Sequence, residues 1–189
     1  WAFWLFMQDH FRTSVINKRS ALEMQLVARG LEALGIQSKD RFLKNFTTTI
    51  GRRIYTPFEV GSPKGGWDLW HQVVICVHEH QHVVQHDREG LSYEVSYLAD
   101  RAARARWEAE AYRSNLELQF WRTGTTPSAQ RTASVLKDYG CRDGDIEVTA
   151  KSLALSALSV KKGAVINEAT RVALGWLDEH VPRLRFKQG

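Results

Sequence analysis

Only two cysteines and four prolines occur in 189 residues, and no apolar run approaches the ~20 residues that a membrane-crossing helix needs. Cys76 and Cys141 belong to no C-x-x-C pair, and two thiols cannot make a disulfide framework. Cys76 lies among Val73, Val74, Ile75 and Val77 and reads as a small buried hydrophobe. A reducing compartment is therefore permitted, and a cytoplasmic or virion-associated setting is favoured over a secreted one. The scarcity of proline leaves long helices possible. Internal repeats and low-complexity tracts are missing. The opening WAFWLFM is apolar, yet it lacks the basic flank and cleavage pattern of a signal peptide, so it reads as the first turn of a buried helix.

What the chain does have is 43% apolar residues and 25% charged ones, which suits a single globular domain over 1–189 with a real core. The net charge of +5 is modest and unevenly spread. Lys39, Arg41, Lys44, Arg52 and Arg53 face only Asp40 in their stretch, and Arg183, Arg185 and Lys187 mark the tail. Arg101, Arg104 and Arg106 share their segment with Glu94, Asp100, Glu108, Glu110 and Glu117, which brings it near neutrality. These charges read as solvated helix faces, which disfavours a nucleic-acid partner.

Apolar spacing predicts a helix over 9–34, through Phe11, Val15, Leu22, Leu26 and Leu34, with Gly35 as its stop. Ser38 is placed to cap a short helix over 39–45. The stretch TTTIGRRIYTPFEVG is rich in β-branched and aromatic residues, and predicts one or two strands around 47–60, with Pro57 at an edge or bulge. GSPKGG is a turn. A helix over 68–86 follows, with Asp68 near its start, and the DREG stretch breaks it. A long helix is expected over 91–121. Pro127 is expected to open the next at its first position, and helices over 128–138, 144–160 and 164–180 are separated by Gly140 and Gly163. The fold class is mostly α (α+β), with a small β element before the 68–86 helix.

That helix carries His78-Glu79-His80-Gln81-His82, an H-E-x-x-H motif. Histidines four apart share one helical face, one turn from each other, so both imidazoles can converge on one ion. Glu79 flanks the same site and can take a proton from a zinc-activated water, which titrates near neutrality. Trp70, Val73, Val74, Val77 and Val84 supply an apolar body for the helix. His80 points away from the ligand pair. His71 and His86 read as polar helix residues or as supports to the site.

Catalytic zinc usually takes three protein ligands and leaves one position open. The H-E-x-x-H-x-x-G-x-x-H pattern is excluded, because Gln85 replaces its glycine and Arg88 its third histidine. A carboxylate on the following helix is the alternative, and Glu108 and Glu110 are the candidates. Leu98, Ala102, Ala105, Tyr112 and Leu116 form an apolar stripe, and Glu108 lies on it. A carboxylate on an inward face needs a cation or hydrogen bonds to offset desolvation. Glu110 lies on a more mixed face with Trp107, Ser114 and Glu117. The expected ligands are His78, His82 and Glu108, the cofactor is Zn2+, and the base is Glu79. An ordinary ion pair between Glu108 and Arg104 is the bland alternative.

With H-E-x-x-H followed by a glutamate on a later helix, the chain resembles the gluzincins, the thermolysin-like zinc metallopeptidases. Ala111 stands at the small position three beyond Glu108, while Tyr112 stands where many members carry Asp. VHEHQHVVQ followed by YEVSYL and RWEAEAY is similar to small bacterial and phage-encoded metallopeptidase-like domains, over about residues 47–121. The resemblance implies a zincin-like helical domain with its core over 47–121; the flanking helices over 9–45 and 127–181 are not diagnostic. It also implies peptide-bond hydrolysis of a peptide or protein substrate, and an edge strand at IYTPFEVG beside the substrate cleft. Tyr93, Tyr97, Tyr112 and His86 are the candidates for stabilising the oxyanion. Two other functions stay open: a non-catalytic metal-stabilised domain of a phage or secretion-type assembly, and a basic helical nucleic-acid-binding protein.

Overall fold

The computed structural model describes residues 1–33, 43–44 and 46–187. The chain is mostly helical with one small sheet, and it divides into two compact units, Trp1–Glu79 and His80–Gly189. Among the described residues no helix is long and apolar enough to cross a membrane.

In the first unit the apolar opening forms helix α1 (Ala2–Phe11), which buries Phe3, Trp4, Met7 and Phe11. Arg12 ends it in the left-handed conformation (φ 51°), and its N–H and that of Thr13 reach back to Asp9 and Gln8 carbonyls. Strand β1 (Ser14–Asn17) and helix α2 (Leu22–Ala33) follow. The single helix expected over 9–34 is therefore three elements. A left-handed residue stops the first helix, and the β-branched Val15 and Ile16 pair as a strand instead. Leu22 and Leu26, expected on the buried face of α2, are exposed, whereas Met24 is fully buried. Of the helix expected over 39–45 only Leu43 and Lys44 lie among the described residues. Leu34, Gly35 and Ser38 lie outside them.

The predicted β element is present as β2 (Thr48–Ile50) and β3 (Arg53–Thr56), an antiparallel hairpin turned at Gly51 (φ 55°). β1 pairs with β3 in parallel, from Ser14 opposite Arg53 to Asn17 opposite Thr56, so the sheet order is β1-β3-β2. This corrects the expected edge strand: β3 is the central strand, covered on both sides, and β2 lies at an edge. Pro57 falls just beyond β3, where its missing N–H costs no ladder bond. The unit's buried apolar residues also include Ile54, Tyr55 and Phe58, with Trp4 edge-on to Phe58 at 6.1 Å.

Helix α3 (Leu69–Glu89) carries the H-E-x-x-H motif. Asp68 accepts a hydrogen bond from the His71 N–H at 2.9 Å, the cap that its position predicted. The buried Gln72 side chain bonds Gly61 N, Ser62 O and Trp67 O, which ties the GSPKGG turn to the first turn of the helix. The helix runs three residues beyond the expected 86, to Glu89. Gly90 separates it from α4 with φ 61° and ψ −148°, a conformation open essentially to glycine alone.

In the second unit the expected 91–121 helix is two: α4 (Leu91–Ala99) and α5 (Arg101–Thr123). Asp100 is extended and caps α5 by accepting from Ala102 N at 2.8 Å, a local bond that competes with helix continuation. Leu98 thus leaves the predicted stripe and is exposed, while Ala105, Tyr112 and Leu116 are buried. Helix α6 (Ala129–Ser134) is capped by Ser128, which places Pro127 ahead of the cap rather than at the first helical position. A 3-10 turn (Val135–Tyr139), α7 (Asp143–Lys161), α8 (Glu168–His180) and a short 3-10 turn (Pro182–Leu184) complete the described chain. Gly140 and Gly163 separate their helices as expected, both at positive φ. Ala105, Tyr112 and Leu116 of α5 pack with Leu136, Cys141, Ile146 and Leu153 as the unit's core.

Candidate metal centre

His78 and His82 lie one turn apart on α3 and Glu108 lies on α5, and all three are buried. One ligand atom from each lies within 4.8 Å of the others. His82 Nε2 is 3.6 Å from Glu108 Oε1. Ligand atoms at ~2.1 Å from a tetrahedral ion sit about 3.4 Å from one another, so this pair already stands near coordinating separation. Two imidazoles and a carboxylate are the donor types that divalent transition metals take, and the residues fit such an ion. Glu108 is 1% exposed, so its charge needs compensation that water cannot give.

Neighbouring side chains orient the ligands. His82 Nδ1 is 2.8 Å from Gln85 Oε1, and Gln85 Nε2 donates to the Trp107 carbonyl at 2.9 Å. That second bond decides which way the Gln85 amide faces, because only its NH2 can donate to a carbonyl. Its oxygen therefore faces His82, so Nδ1 carries the proton and donates. Nε2 keeps its lone pair, the tautomer that a metal ligand requires. Tyr93 Oη, 3.0 Å from the same nitrogen, shares that N–H. Tyr97 Oη donates to Glu108 Oε1 at 2.5 Å. Burial first, and the Glu108 charge second, hold the Tyr97 hydroxyl well above its ordinary pKa, so it stays a donor.

Glu79, 7% exposed, is held from the sheet, since Thr49 Oγ1 on β2 donates to its Oε2 at 2.6 Å. Beside it Lys18 is fully buried and donates to the Phe46 carbonyl (3.0 Å) and to Thr48 Oγ1 (2.7 Å). Desolvation lowers the Lys18 pKa from 10.5 to about 7, against the opposing pull of the Glu79 charge.

No family model matches the chain, and no curated protein or solved structure matches it. The site therefore rests on its own residues. His78, His82 and Glu108 come together in one group that could hold a metal ion. Arg104, the bland partner for Glu108, instead donates to the carbonyls of Tyr97, Leu98 and Tyr139. Glu110 is occupied elsewhere: burial opposes its charge, but bonds from Arg88 and Gln81 outweigh that cost and lower its pKa. His80 is buried outside the triad, His71 stacks on Trp67 at 5.2 Å, and His86 Nδ1 bonds Glu94. Tyr112, where the resembled pattern has a carboxylate, is part of the α5–α7 core. The sequence marks Gln85 only as a residue in place of a glycine, and marks neither Thr49 nor Lys18. The Gln85 role follows from the helical reasoning that paired the histidines, since residues three apart, like residues four apart, share a face. The Thr49–Glu79 contact spans 30 residues and leaves no local signal.

Proposed function

We propose that the protein is a zinc-dependent metallopeptidase, a hydrolase of gluzincin type, with His78, His82 and Glu108 as ligands and Glu79 as general base. The observation that carries this reading is the buried His–His–Glu group, with a separately held carboxylate next in sequence to the first ligand. A structural metal site has no use for that fourth group. A divalent ion held there supplies Lewis acidity, polarising a carbonyl and lowering the pKa of water. Thr49 occupies Oε2 of Glu79, which leaves Oε1 to accept the proton of the attacking water and pass it to the leaving amine. An extended peptide is taken up along β2, the edge strand that carries Thr49, by main-chain pairing. Of the oxyanion candidates, Tyr93 and Tyr97 are committed to ligands and Tyr112 to the core. His86 is anchored through Nδ1 by Glu94.

The test is metal analysis of the purified protein beside a Glu79→Gln variant, with both assayed on an unfolded-protein or peptide library. Zinc retained in both with cleavage only by the parent is the expected result. Zinc in both with cleavage by neither, or no metal in either, contradicts the proposal.

A further inference from the structure

Helix α4 (Leu91–Ala99) carries apolar side chains on two faces. One face holds Tyr93 and Tyr97, whose hydroxyls meet His82 and Glu108. On the other, Leu91, Val95 and Leu98 are 78%, 65% and 74% exposed. At 3.6 residues per turn these three fall within an arc of about 60°, and the two tyrosines lie on the opposite side. Ser92 and Ala99, also exposed, flank the stripe, and the one charged residue of the helix, Glu94, is bonded to His86. No charge therefore interrupts the row. The exposed face of α7 differs, because Val148, Leu155 and Leu158 share it with the Glu147–Lys151 ion pair. Single exposed apolar side chains are ordinary on a protein surface, whereas an uninterrupted row of three marks an interaction face.

The residues around the stripe say what covers it. Arg88 and Glu89 stand before it and Asp100 and Arg101 after it, all four exposed. The order is plus, minus, apolar, minus, plus. A second copy of the chain laid antiparallel across the first puts Leu91 beside Leu98 of the other copy and Val95 beside its own mate. The same arrangement brings Arg88 to Asp100 and Glu89 to Arg101, at both ends by symmetry. A parallel arrangement sets each charge against its like. Arg88 is already bonded to Glu89 and Glu110, and Asp100 caps α5, so these exposed pairs fix orientation more than they add affinity. The four charges cancel, which leaves no basic flank for an anionic lipid surface.

We infer that the outer face of α4 is a self-association surface, on which two copies of the chain pair antiparallel through Leu91, Val95 and Leu98. The inference is independent of the proposed peptidase activity and is tested without it. Three side chains of a nine-residue helix cover less than the ~800 Å² per partner of a standard stable interface, so the dimer dissociates at about 10–100 μM. The test is sedimentation of the full chain from about 1 to about 500 μM, where the mass is expected to double across the range. Val95 meets its own mate, so Val95→Glu and Val95→Lys each set like charges together and weaken association about tenfold or more. An equimolar mixture of the two variants sets opposite charges together and restores it. Both substitutions are at an exposed position, and circular dichroism confirms that each variant is folded. Leu155→Lys, on the exposed face of α7, leaves association unchanged. Vesicles of mixed phosphatidylcholine and phosphatidylserine are the control for a lipid partner and are expected to bind no protein. A parent that stays monomeric at about 500 μM overturns the inference. So does association that survives both Val95 variants, a mixture no better associated than its components, loss of the dimer in Leu155→Lys, or vesicle binding that Val95→Glu abolishes.

Discussion

Gln85→Met separates the orientation of a metal ligand from the ligand itself. Methionine keeps the length and apolar bulk of the fully buried Gln85 side chain but removes the acceptor at His82 Nδ1 and the donor to Trp107. Loss of such an outer hydrogen bond typically costs 10–100-fold in metal affinity, or about 1.4–2.8 kcal/mol. Tyr93 Oη, 3.0 Å from the same nitrogen, can take the full N–H in the variant, which places Gln85→Met near the tenfold end. Tyr93→Phe alone leaves Gln85 in place and costs less. The double variant removes both acceptors and is expected near a hundredfold, more than the product of the single effects. The assay is competition for zinc against a chromophoric chelator at neutral pH, with circular dichroism to confirm that each variant is folded. Folded variants that hold zinc as tightly as the parent, singly and together, would refute the tautomer argument.

Other perturbations probe other links. The folded pKa of Lys18, about 7, lies below its ordinary 10.5, so the unfolded chain binds more protons between those values and stability rises with pH across that window. Below about pH 7 both states are protonated and the burial cost is present in full. Lys18→Met should flatten this slope, as read from denaturant midpoints at about pH 7 and about pH 9, and an unchanged slope would count against the buried lysine. Thr49→Val should lower kcat on a cleaved peptide by about tenfold or more with zinc content unchanged, while Thr49→Ser retains the rate; equal rates for the two would remove the hydroxyl from the mechanism. Leu116→Ala, fully buried in the α5–α7 core, should cost about 3 kcal/mol by chemical denaturation.

The candidate site draws on shorter-range signals than the element boundaries around it. His78 and His82 follow from helical spacing alone, and Glu108 from the oddity of a carboxylate on an apolar stripe. Both are short-range signals within single helices. What failed was continuity. Nothing in apolar periodicity marks Arg12 as left-handed, so α1, β1 and α2 read as one helix, although Val15 and Ile16 gave a β-branched hint. Asp100 is a good N-cap residue, yet it sits in a stretch whose helical pattern runs on through it. The hairpin was visible in TTTIGRRIYT, but its place in the sheet was not, because β1 pairs with a strand far along the chain, Ser14 opposite Arg53, with β2 between them in sequence. The order β1-β3-β2 moved the available edge from β3 to β2, and with it the expected place of a bound peptide.

Zinc K-edge absorption on the protein loaded with one equivalent of zinc tests the metal centre most directly. A first shell of nitrogen and oxygen at about 2.0–2.1 Å with two imidazole scattering patterns, falling to weak or substoichiometric binding in Glu108→Ala, is the expected result. A shell containing sulfur at about 2.3 Å, or a spectrum unchanged by Glu108→Ala, would show that His78, His82 and Glu108 do not share the ion.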